Sequence, residues 1–131
     1  MVELGARMGG DCITTHLVPL STGVDMIEAT IRLSSGEMPD IEPKFLRGSA
    51  IRYFNPPKGR IKAITGIKEA EQIEGIREIS FVKQVGDTVG SIGSSTDRAG
   101  FVIAQAETPE EAIRICERAV QTVCIEIDPI E

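Results

Sequence analysis

Residues 2 to 11, VELGARMGGD, gather a carboxylate at Glu3, a guanidinium at Arg7, a glycine pair at Gly9 and Gly10, and a second carboxylate at Asp11. The run MVELGA is predicted as a short strand. Alternate side chains on a strand share a face, so Glu3, Gly5 and Arg7 project together. At ~3.3 Å per residue the carboxylate and the guanidinium stand about 13 Å apart, and the glycine between them leaves the gap open. Magnesium takes oxygen ligands and keeps phosphate oxygens in its shell. Arginine offers paired donors to phosphate. Glycines ahead of a helix start let backbone N–H groups approach an anion. The set sketches a magnesium–phosphate site. A surface ion pair between Glu3 and Arg7 and a tight turn at Gly9-Gly10 account for the same residues without a ligand.

These residues need elements to hold them. Asp11 is a candidate N-cap for a short helix over GDCITTHLV, which Pro19 should interrupt. STGVDMIEATIRLSSGE reads as a helix with Val24, Ile27 and Ile31 on one face, closed by Gly36. GEMPDIEPK, with two prolines and acids at Glu37, Asp40 and Glu42, reads as a surface link. FLRGSAIRYFNPPKGRIKAITG is predicted as two strands around the turn Asn55–Gly59, where prolines cannot lie in a central strand. IKEAEQI is a short helix, IREISFVKQV a strand, GDTVGSIGSSTDRAG a loop and FVIAQAE an apolar strand. TPEEAIRICERAVQTV is the clearest helix. Thr108 is its N-cap, Pro109 its first residue and Glu111 the partner in a capping box, with Ala112, Ile115, Ala119 and Val123 on the buried face. CIEIDP is a last short strand. Helices and strands alternate irregularly around antiparallel turns, so the fold class is α+β.

Bulk composition narrows the function classes. A chain of 131 residues with 41% hydrophobic and 26% charged residues suits one compact domain. Aromatic residues are only 4% and tryptophan is absent, so aliphatic side chains must fill the core. The formal charge of −6 argues against a nucleic-acid partner. No apolar run approaches membrane-spanning length. Cys12, Cys116 and Cys124 lack CxxC spacing, which points to neither zinc nor a disulfide framework. Cys116 and Cys124 are expected as small buried hydrophobes, and reduced thiols suit a cytoplasmic setting.

The stretch ELGARMGGDCITTHLVPLSTGVDMIEATIRLSSGE resembles the end of the catalytic region in ATP-grasp carboxylate–amine ligases. The family motif is a Glu, often an Asn two residues on, an Arg four residues on, and then glycines. The segment from GRIKAITGI through FVKQVGDTVGSIGSSTDRAGFVIAQAETPEEAIRICERAV is similar to the small β-rich closing subdomain of L-amino-acid ligases, biotin carboxylases and glycinamide ribonucleotide synthetases. The resemblance implies a C-terminal fragment of an ATP-grasp fold, with a mostly antiparallel closing subdomain and one long C-terminal helix. It divides the chain into residues 1–36, the end of the catalytic region; 37–43, a linker; and 44–131, the closing subdomain. It implies Glu3 as a magnesium ligand bridging ATP phosphates and Arg7 as the catalytic contact to the transferred phosphoryl group. Gly9, Gly10 and Asp11 would shape the phosphate and substrate end. Gly5 stands where many members carry a metal-binding Asn, a departure shared by some amino-acid ligases.

By the same resemblance, Mg2+ and ATP serve the longer parent and neither is expected bound to this chain. The partners are upstream ATP-grasp subdomains with a small carboxylate and an amine substrate, and a homodimer is left open. The expected activity is that of a piece inactive alone, within an enzyme that forms an acyl-phosphate from ATP. The alternative is a free-standing binding or oligomerisation module. His16, the single histidine, lies near the glycine pair and could reach a substrate, yet one His without a nucleophile makes no relay, so a helix-surface or packing role is the favoured reading. GSIGSSTDR lacks a P-loop lysine before its Ser/Thr and reads as a hairpin or surface loop. Lys58 and Arg60 beside a turn, and the acids of the link, read as solvated.

Overall fold

The computed structural model describes residues 7–129. The strand expected at the start, with Glu3 and Gly5, lies outside the described residues. The most legible helix forms where its sequence predicts, with the Thr108 half of the expected capping box and with Cys116 rather than Ile115 fully buried on its inner face. Helix α4, Pro109–Thr122, is capped by the Thr108 hydroxyl, which accepts from the Glu111 backbone N–H (3.2 Å). Ala112, Cys116 and Ala119 on its inner face are fully buried, and Val123 follows them inward.

That face lies on a three-stranded antiparallel sheet in the order β1 (Gly48–Tyr53), β5 (Gly100–Ala106), β3 (Ile76–Phe81). Period-2 alternation sends Val102 and Ala104 toward α4 and Ile103 and Gln105 to the opposite face. All four are buried, so β5 is covered on both sides. Phe54 and Phe81 stack across the sheet end with ring centroids 4.7 Å apart. Gly48 opens β1 where a Cβ would stand 2.1 Å from the Thr108 carbonyl, so only glycine lets the strand start touch the α4 cap.

A second antiparallel sheet has the order β4 (Thr88–Val89), β2 (Gly59–Thr65), β6 (Cys124–Asp128). Short helix α3, Ile67–Glu71, buries Ala70 beside α4. The two strands expected around Asn55–Gly59 both form but do not pair with each other: β1 joins β5, while β2 joins β4 and β6. Pro56 and Pro57 have no N–H to give a ladder, and the chain leaving β1 is instead tied by the Phe54 N–H to the Gly100 carbonyl (3.0 Å).

The first described helical element corrects two expectations. A wide π-type turn, Ile13–Leu17, runs straight into α1, Val18–Thr22. Pro19 does not interrupt it: it falls where the π-type turn passes into α1, at the first positions of the new helix, where proline's fixed φ suits the backbone. Asp11 is not the N-cap. Its backbone is left-handed (φ 51°), Cys12 (φ 61°) takes the cap position, and neither side chain caps the turn.

Helix α2, Met26–Ser34, begins at Asp25, whose Oδ1 accepts from the Ile27 and Glu28 N–H groups (both 2.9 Å). Gly36 follows it with φ 81°, as expected of a C-terminal glycine. The predicted apolar face of α2 is corrected: Val24 and Ala29 are buried, but Ile27 is 43% and Ile31 62% exposed. Nothing among the described residues covers that row. Cys116 is buried as expected, whereas Cys124 is exposed, because it starts the edge strand β6 rather than continuing the helix face.

Candidate ligand site at the glycine turn

The glycine turn reaches the sheet through its last residue. Gly9 and Gly10 are exposed, and Thr14 folds back to donate to the Gly9 carbonyl (3.0 Å) while the Ile13 N–H binds the Gly10 carbonyl (2.9 Å). These bonds hold Asp11 and Cys12 in consecutive left-handed conformations. Non-glycine residues pay roughly 1–3 kcal/mol each for such backbone unless the surroundings enforce it. Here the enforcement is visible: Asp11 Oδ1 lies 3.1 Å from Arg98 Nη1.

Arg98 in turn lies over the Tyr53 ring, its Cζ 3.8 Å from the ring centre. Its Nη1 is fully shielded, yet it makes no directed hydrogen bond, even to Asp11. The pair is held at contact distance but off the N–H line. Burial is the main effect raising the Tyr53 hydroxyl pKa, opposed by the Arg98 charge. Burial also raises the Cys12 thiol, helped by the negative charges of Glu78 and Asp11. Both groups are therefore neutral at physiological pH, and Cys12 is no thiolate nucleophile. Between the turn and the 95–98 segment lies a cavity of about 280 Å³, lined by Tyr53, Val82 and Phe101 together with Ser95 and Thr96.

The segment matching known proteins contains most of this site. A family profile described as L-amino acid ligase C-terminal domain 2 covers residues 52–128. The chain belongs to that family. Across 130 residues it is 28% identical to y4rH of Sinorhizobium fredii, covering 98% of this chain and 27% of that protein. Across 96 residues it is 29% identical to the L-arginine-specific L-amino acid ligase of Bacillus subtilis, covering 72% of this chain and 23% of that one. The chain thus spans about a quarter of the curated relatives it matches. Its fold is that of the phosphoribosylglycinamide synthetase of Anaerococcus prevotii (TM-score 0.77, 20% identity, 93% of this chain and 32% of that chain). It is also that of the L-amino acid ligase of Bacillus licheniformis (TM-score 0.74, 19% identity, 95% and 32%). The expected C-terminal region of an ATP-grasp ligase, α+β with antiparallel sheets and a long helix near the end, is the architecture found.

The remaining site residues divide. Glu3 lies outside the described residues. Arg7 is exposed, and its Nη1 donates to the neighbouring Met8 carbonyl (3.2 Å). Asp11 is brought to Arg98 and Tyr53, two residues the sequence reading missed. The structure joins them through the sheet: Tyr53, the one tyrosine, ends β1 in register with Phe101, and Arg98 ends the loop that leads into β5. His16 packs across the sheet, its Nε2 3.0 Å from Glu78 Oε2 and its Nδ1 2.7 Å from the Thr15 hydroxyl. The GSIGSSTDR loop holds itself: Asp97 accepts from the Gly93 and Ser94 N–H groups (2.9 and 2.8 Å), which is the main cause holding its carboxyl below the ordinary value.

Other hollows are poorer candidates. The one beside Arg47, Arg77 and Arg118 also carries Glu74, Glu107 and Glu111, so its charges cancel.

Proposed function

We propose that this chain is the C-terminal portion of an ATP-dependent carboxylate–amine ligase of the amino-acid type, working in the cytoplasm, and that its glycine turn completes part of the Mg-ATP and substrate site. The observation that carries the reading is the Asp11–Arg98 contact, which fastens the turn of the Arg7–Asp11 motif onto the domain that the family profile matches. The reaction joins a carboxylate to an amine by way of an acyl-phosphate, and catalysis of that kind rests mostly on positioning and charge stabilisation. Arg7, with its guanidinium at the surface, is assigned to the transferred phosphoryl group. Gly9 and Gly10 leave the backbone bare beside it, and Asp11 sets the substrate end of the turn.

Magnesium is assigned to Glu3. Among the described residues no group of three His, Cys, Asp or Glu side chains converges, so these residues do not fit a magnesium centre by themselves and no step is derived through the metal. Upstream ATP-grasp subdomains are the partner. The exposed pair Ile27 and Ile31, one turn apart on α2, supports them, since an uncovered apolar helix face of this kind suits an interface.

The test mixes this chain with the Bacillus subtilis ligase shortened by its C-terminal quarter and follows ADP release with amino acids present. Release that neither piece gives alone, and that Arg7→Ala abolishes, supports the reading. Silence from a mixture that demonstrably associates favours the non-catalytic binding or oligomerisation module.

A further inference from the structure

We infer that the cavity between the glycine turn and the 95–98 segment binds a carboxylate carried on a compact apolar body, with Arg98 as the residue that holds it. This deepens the reading above and rests on it only for the reaction the ligand enters.

Three observations converge. Among the described residues Arg98 brings the only cation that lines the cavity. A guanidinium has five N–H donors, and the Nη1 of Arg98 makes no directed hydrogen bond to another described residue, although Asp11 stands 3.1 Å away. The Tyr53 ring lies against the guanidinium, its centre 3.8 Å from Cζ, and restrains the fork that a carboxylate would meet. The walls then select the rest of the ligand. Val82, Phe101 and the Tyr53 ring present hydrocarbon, with Val82 62% exposed and unpartnered. A volume of about 280 Å³ sits just under the range of ~300–1,000 Å³ typical of small-molecule pockets, so the body must be compact. Asp11 argues against phosphate. A single guanidinium already beside one carboxylate balances a monoanion far better than a group carrying about two negative charges.

The experiment titrates the 131-residue chain, uniformly labelled with nitrogen-15, with N-acetyl-L-leucine, L-leucinamide and inorganic phosphate. Amide shifts report both affinity and place. N-acetyl-L-leucine should give saturable shifts confined to residues 11–12, 53, 82 and 95–101. Arg98→Gln should weaken it about tenfold, the scale of one lost hydrogen bond to a charged group. Val82→Glu, at an exposed wall position away from the core, should weaken it comparably without unfolding the chain. The inference is overturned by equal binding of leucinamide, by phosphate binding as tightly as the carboxylate, by unchanged affinity in Val82→Glu, or by no saturable shift. This readout needs no ATP and no upstream portion. Carboxylate binding without restored ADP release breaks only the ligase reading, and restored ADP release without carboxylate binding breaks only this one.

Discussion

The two faces of the β1–β5–β3 sheet are held by different chemistry. Toward α4 the contact is apolar and built from small side chains: Ala50, Val102 and Ala104 against Ala112, Cys116 and Ala119. Toward the N-terminal turns it is largely polar. Ser49 donates to the Leu17 carbonyl (2.9 Å), Gln105 donates to the Leu20 carbonyl, Arg77 donates to Gln105 (3.1 and 2.7 Å), His16 meets Glu78 and Asp11 meets Arg98. Apolar burial is non-directional, whereas hydrogen bonds and ion pairs fix angle and register. The first face makes the domain stable; the second orients the glycine turn on it.

Ile103 puts that contrast under the greatest strain. It is the fully buried aliphatic on the polar face. Ile103→Ala should cost about 2–5 kcal/mol, whereas Ile31→Ala on exposed α2 should stay within about 0.5 kcal/mol; denaturant midpoints compare the two. Next comes Gly48→Ala. The added Cβ meets backbone at 2.1 Å, which no rotamer change relieves, and overpacking of this kind costs about 3 kcal/mol. The loss should be seen in α4 protection from amide exchange.

Gln105→Ala sharpens the polar side. It strips Arg77 and the Leu20 carbonyl of their partner in a half-buried place, an effect of about 2 kcal/mol. Exchange should rise in residues 13–22 more than in α4. The smallest effect is acidic. Because the folded Asp97 carboxyl titrates below its ordinary value of 3.8, the stability it gives is present above that value and lost as pH falls through the lowered one. Faster exchange of the Gly93 and Ser94 amides below pH 3.8, reproduced at neutral pH by Asp97→Asn, is the expected result.

Much of this was legible from local rules. The Thr108–Pro109–Glu111 cap, the α4 face, the Gly36 stop and the apolar β5 each announce themselves within a few residues, because capping and periodicity are short-range. Pairing was not: that β1 joins β5 rather than β2 depends on contacts fifty residues apart, which a local turn does not report. The face of α2 misled for another reason. Its period of three and four is real, but periodicity says that a face is meant to be covered, not what covers it. At the site, the types and order of Arg7, Gly9, Gly10 and Asp11 suggested anion chemistry. Arg98 and Tyr53 entered only through the register of β1 on β5, since a lone arginine after a serine-rich loop carries no periodic signal.

The three thiols sit at three depths, and that makes them a graded clock for opening of the molecule. Cys124 is open to solvent on an edge strand, Cys12 is half-covered beside Glu78 and Asp11, and Cys116 lies sealed under α4, where burial pushes its thiol up to about 11. Thiolate is the form that alkylates, so an added maleimide or iodoacetamide should mark Cys124 at once and Cys12 after the glycine turn lifts. Cys116 should be marked only when the sheet and its helix part. Read by mass spectrometry, the order of labelling would time the release of the polar face separately from the collapse of the apolar one, with no mutation made.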